Sequence, residues 1–105
     1  MDFGPLGRFT DPAVLILSSL AGSDRHGYAL IKDIEEFAGV RLGAGTLYSA
    51  LAKLEQAGLV EALPAADRRR PYQITAAGRE FLYQRLTESA RIAEVGLRRI
   101  AVASS

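Results

Sequence analysis

Residues 43–75 read GAGTLYSALAKLEQAGLVEALPAADRRRPYQIT, and the order of signals within them decides the fold. Gly43, Ala44 and Gly45 make a flexible turn of small residues. From Thr46 to Gln56, Leu47, Leu51 and Leu54 stand at i, i+4 and i+7, the spacing of a helix with one buried face. Gly58 stops that helix. Leu59–Leu63 alternates apolar and polar only roughly, whereas Tyr72, Gln73 and Ile74 within Pro71–Thr75 alternate more cleanly. Between them Pro64–Arg70, PAADRRR, is a polar loop. A helix followed directly by two short strands and a charged loop predicts a β-hairpin placed as a wing.

Upstream, Asp11–Pro12 is a helix start, an N-cap acceptor followed by proline where its missing N–H costs nothing. Ala13–Leu20 is apolar nearly all round, which suits a core or a subunit interface. Ser23 or Asp24 is positioned to cap the next helix, about Gly27–Phe37, with Tyr28, Ile31, Ile34 and either Glu35 or Ala38 as its buried face. Gly39 ends it, and Val40–Leu42 is long enough for a few extended residues. Met1–Thr10, with two glycines and a proline, reads as an arm.

Downstream, about Ala76–Ala101 predicts one long helix with Phe81, Leu82, Leu86, Ala90, Ala93, Leu97 and Ile100 at three- and four-residue steps. At 1.5 Å per residue it would reach about 35–40 Å, longer than a core of this size can cover. Its outer apolar residues need a partner, and a second copy is the simplest one. The expected dimer surface is Leu15, Leu17, Leu86, Ala90, Ala93, Leu97 and Ile100. The predicted fold class is α+β, a winged helix-turn-helix over residues 11–75 closed by a dimerisation helix over 76–105.

Composition narrows the function classes. The 105 residues make one domain, and 49% hydrophobic residues argue against a disordered tail. The most apolar run, Ala13–Ser18, is too short to span a bilayer, and no positively charged leader precedes it, so no membrane partner is expected. With no cysteine, a disulfide scaffold, a thiolate zinc site and a cysteine nucleophile are excluded, and a cytoplasmic location is the default expectation. The single histidine, His26, suits capping or packing better than metal binding, so no metal and no cofactor are expected. The carboxylates are scattered, no phosphate-binding glycine motif is present, and no catalytic residue is assigned. The net charge of +1 is unevenly spread: residues 1–40 hold three Lys/Arg against six Asp/Glu, while residues 41–75 and 76–105 each balance to +2. That asymmetry allows one basic face.

The candidate recognition helix begins at Ala44 or Gly45, where small residues let the backbone approach DNA and free N–H groups favour phosphate. Thr46 either caps this helix or offers its hydroxyl to phosphate. Tyr48 and Ser49 lie away from the leucine stripe, and Lys53 shares a face with Ser49. Arg41 precedes the turn, within reach of backbone phosphate. Arg68, Arg69 and Arg70 sit in the wing loop, suited to phosphate or the narrow minor groove. The expected DNA-binding set is therefore Arg41, Ala44, Gly45, Thr46, Tyr48, Ser49, Lys53, Arg68, Arg69 and Arg70.

Several separate motifs occur in one order: His26–Gly27–Tyr28, then Gly45–Thr46–Leu47–Tyr48 with Leu51, Leu54 and Glu55, then Gly58–Leu59–Val60, and after the arginines Tyr72, Ile74, Thr75 and Gly78. In these the chain resembles the PadR family of transcriptional regulators over roughly Ala13–Leu86, and its long closing helix is similar to the short-chain branch. The resemblance implies a homodimer built through the terminal helices that binds double-stranded, two-fold symmetric operator DNA, with Tyr48 near the duplex. It also implies repression relieved by a small apolar or aromatic effector, since phenolic acids and drugs are inducer classes in the family. With no tryptophan, a flat drug sandwiched between tryptophan rings is not available here. The alternative is a winged-helix protein-interaction module with weak or no DNA binding.

Overall fold

Asp11 and Pro12 open the first helix, α1 (Pro12–Gly22), as their sequence demands: the Asp11 carboxylate accepts the Ala13 N–H at 2.9 Å and the proline occupies the first turn. The structure, a computed structural model, describes residues 11–104, so the arm expected at 1–10 lies outside the described residues. Four helices and three short strands follow in the order α1, β1 (Arg25–His26), α2 (Gly27–Ala38), α3 (Ala44–Gln56), β2 (Val60–Ala62), β3 (Pro71–Ile74) and α4 (Ala76–Ser104).

α1 is the hub. It packs against α2, α3, β3 and α4, and Leu15, Ile16, Leu17 and Leu20 are all buried there. Each such side chain stabilises the fold by roughly 1.5–3 kcal/mol relative to exposure. This corrects the expectation that Leu15 and Leu17 face a second subunit. They are 4% and 0% exposed within one chain, because all four neighbours close around so short a helix. A polar clasp fixes the next element. Buried Ser19 donates to the Asp33 carboxylate at 2.6 Å, and Arg25 Nε donates to the Ser19 carbonyl at 3.2 Å, tying β1 to α1 and α2.

The α2 helix is capped by the His26 ring, not by Ser23 or Asp24, and ends at Gly39 in the left-handed region (φ +67°). Its buried face is Gly27, Leu30 and Ile34, with Ile31 half-buried. Tyr28, expected on that face, is 71% exposed, and Glu35 and Ala38 are both exposed. The stripe runs from the glycine at the helix start rather than from the larger ring beside it. Val40–Leu42 forms no strand. The sheet takes its third strand from Arg25–His26, in the antiparallel order β1-β3-β2.

Leu47, Leu51 and Leu54 of α3 face the core as their spacing predicts. The helix ends in a Schellman motif: Leu59 N–H bonds the Leu54 carbonyl at 2.9 Å and Gly58 N–H the Glu55 carbonyl at 3.0 Å, with Gly58 at φ +78°. That turn feeds β2, which pairs with β3 in the register Val60↔Ile74 and Ala62↔Tyr72. Thr75 then starts α4, accepting the Gly78 N–H at 3.0 Å while donating to the Gly58 carbonyl at 2.7 Å. Gly78 lies so close to the Leu59 carbonyl that a methyl group there would collide with it. The 29 residues of α4 extend about 43 Å. Only Gly78 and Leu82 are buried, and beyond Leu82 the helix leaves the body of the chain.

Candidate nucleic-acid interface

The wing is a tight hairpin. Ala66 and Arg69 exchange both backbone hydrogen bonds, at 2.8 and 2.9 Å, and the two residues between them, Asp67 and Arg68, have φ of +52° and +65°. Positive φ at both central positions is the type I′ pattern, whose twist matches that of paired strands. Aspartate tolerates it; arginine at φ +65° carries a cost of about 1–2 kcal/mol. That cost aims an exposed guanidinium at the tip of the hairpin.

The sheet register places His26 of β1 opposite Pro71 and Arg25 opposite Tyr72, so the start of α2 adjoins the end of the arginine run. Tyr48 reaches across from α3 and lies over Gly27, where an added Cβ would meet its hydroxyl and stand 2.7 Å from its Cζ. Together Tyr28, Tyr48, Tyr72 and Arg68–Arg70 line a cleft of about 300 Å³ floored by His26 and Gly27. Three guanidinium groups and three phenol rings thus share one concave surface. The Tyr72 hydroxyl is held above the usual phenol pKa by partial burial first, then by Glu55 and Tyr48, against an opposing pull from Arg70. It therefore stays a neutral donor.

A second cleft runs along α3. Gly45, Thr46, Ser49 and Lys53 line a cavity of about 620 Å³ against Asp11, Pro12 and Ala13 at the start of α1. Thr46 does not cap α3; Gly43 occupies the cap position with no side-chain bond, and the Thr46 side chain is left exposed. Ala44 is exposed in the first turn. Arg41 stands apart from both clefts, its Nε 3.9 Å from Glu35. Of the expected contact residues, Tyr48 and Arg68–Arg70 converge, Gly45, Thr46, Ser49 and Lys53 form a neighbouring row, and Arg41 joins neither. Tyr28, Tyr72 and His26 were not among them. The adjacency of His26–Gly27–Tyr28 was the available signal, since only a glycine lets the Tyr48 ring lie against the start of α2.

Among the described residues no group of His, Asp or Glu is placed to hold a metal ion, and no helix is long and apolar enough to cross a membrane. Residues 16–84, which contain the tyrosine–arginine cleft and the α3 wall of the second cavity, match the model of the transcriptional regulator PadR-like family.

The chain belongs to that family.

Solved structures of transcription regulators share the architecture. A PadR family transcription regulator from Clostridium difficile R20291 is 29% identical, with a TM-score of 0.73 over 80% of this chain and 92% of that one. A transcriptional regulator from Clostridium thermocellum is 31% identical, with a TM-score of 0.72 over 80% and 84%. An uncharacterised 37.1 kDa protein in transposon TN4556 of Streptomyces fradiae is 45% identical over 85 residues, and this chain spans about a quarter of that relative's length. The PadR-like family is one of transcription regulators rather than enzymes.

Proposed function

We propose that this PadR-family chain is a homodimeric, sequence-specific DNA-binding repressor, released from its operator by a small apolar or aromatic effector. The observation that carries the DNA reading is the convergence of the wing arginines with Tyr48 of α3 on one cleft. Ala44, Gly45 and Thr46 at the start of α3 enter the major groove, Ser49 and Lys53 follow along it, and Arg68–Arg70 reach phosphate or the adjacent minor groove. Arg41, beside its Glu35 partner, acts only as a distant phosphate contact.

Dimerisation is supported by the outer part of α4. Leu86, Ala90, Ala93, Leu97 and Ile100 repeat at alternating steps of four and three residues, the period of a coiled-coil seam, and all five are exposed. Leu97 and Ile100 are 68% and 64% exposed. Two copies joined there present two α3 helices to half-sites about 34–36 Å apart. An effector seated between α1 and α4 of the joined chains acts by favouring a dimer whose α3 helices no longer match that spacing.

The test is binding of the purified chain to promoter DNA of its own gene and immediate neighbours, at two salt concentrations, with scrambled duplex as control. The expected result is selective binding that weakens steeply with salt and is lost when Arg68, Arg69 and Arg70 are replaced together by Gln. Binding no tighter than to scrambled DNA, across the genome's promoters, would favour a protein-interaction module instead.

A further inference from the structure

We infer that His26 and Arg69 together form a clamp for one backbone phosphate of DNA, each donating a hydrogen bond to it. This rests on the DNA-binding reading above and adds a residue to it. The Ala29 N–H lies 3.3 Å from His26 Nδ1. A backbone N–H can only donate, so Nδ1 holds the lone pair, and in a neutral ring the proton then sits on Nε2. Arg69 Nη1 lies 3.4 Å from that same Nε2. A guanidinium also only donates. With that tautomer the two groups face each other as donors.

Two donors at that separation share an acceptor naturally, and a phosphate oxygen is the acceptor a duplex offers here. The geometry leaves room for it. A cavity of about 410 Å³ lies over the pair, lined also by Ala66, Asp67 and Pro71. Asp67 is the one carboxylate on its rim, and it makes no ion pair with Arg69 or His26 among the described residues. The clamp also joins two elements, because His26 caps α2 while Arg69 closes the wing turn. A single phosphate held by both fixes the wing against the helix pair that carries α3.

His26→Asn tests this without disturbing the cap. Asparagine is a strong N-cap acceptor, so the Ala29 N–H keeps its partner, but its shorter side chain removes the distal donor. Binding to a mixed-sequence duplex serves as readout, since phosphate contacts do not depend on sequence. With the thermal midpoint unchanged, H26N is expected to weaken binding about tenfold, the effect of one charge-assisted hydrogen bond. Arg69→Gln weakens binding and also lowers its salt slope by about one per protomer. Undiminished binding by H26N overturns the clamp alone, and failure of the wild type to bind any duplex overturns the DNA reading with it. Nitrogen NMR of the ring should find the proton on Nε2; a proton on Nδ1 instead refutes the premise. Inorganic phosphate, set against chloride of equal ionic strength, separates the two sources of the anion. Saturable displacement of duplex by millimolar phosphate would reassign the pair to a free small anion.

Discussion

α1 and the outer half of α4 both carry leucine and isoleucine, all round in the first and as a stripe among charges in the second, and the fates of those residues are opposite. In α1 the apolar residues are enclosed by α2, α3, β3 and the root of α4. In α4 no apolar side chain after Leu82 is buried within the chain, and Leu86, Ile92, Leu97 and Ile100 are exposed. Length and position separate them. An 11-residue helix placed centrally finds neighbours on all sides, whereas a 29-residue helix outruns the body it starts from. Apolar surface is therefore spent on the protomer in one case and left for a partner in the other.

Substitutions can break or sharpen that contrast. The largest effect belongs to Leu17→Ala, which opens a cavity in a fully buried site and should lower stability by about 2–5 kcal/mol. Thermal unfolding should show the loss equally at every protein concentration. Gly78→Ala comes next, at the junction where α4 leaves the body. Its methyl group collides with the Leu59 carbonyl and stands 2.8 Å from the Ile74 side chain, so both must shift, at about 1–3 kcal/mol. Chemical denaturation should register that cost, and a variant as stable as the wild type would mean that α4 pivots freely at its root.

Leu97→Glu should change the folding of the protomer least, within about 0.5 kcal/mol, because the side chain touches little of its own chain. Its consequence is expected in assembly. Sedimentation should show a dimer for the wild type and a monomer for L97E, and the rise of the thermal midpoint with protein concentration should vanish in the variant. A dimer that survives this change would move the interface away from the α4 seam.

Much of the candidate site was legible because its residues announce themselves by type and order. The leucine stripe of α3 was read from its spacing, leaving Tyr48, Ser49 and Lys53 outside, and the triple arginine between two short strands reads as a wing tip. Other parts had no such signal. Tyr28 was read as core because its spacing to Ile31 and Ile34 is helical, yet the buried stripe begins one residue earlier at Gly27. A glycine contributes nothing to a hydrophobic pattern, and its importance appears only when Tyr48 is seen lying over it. Val40–Leu42, β-branched at its start and long enough for a few extended residues, forms no strand, and the third strand carries no comparable local mark. It formed instead at Arg25–His26, whose pairing with β3 depends on residues more than forty positions away.

By itself, the sequence determined the order of the four helices and the β2–β3 hairpin, the stops at Gly39 and Gly58, the cap at Asp11 and the excess length of the last helix, for these depend on near-neighbour geometry and period. Only the tertiary structure decided which apolar faces are covered, and that three tyrosines and three arginines meet in one cleft. It alone brought His26 to the side of Arg69. Such choices are made by which distant surfaces come into contact, and no local pattern along the chain encodes them.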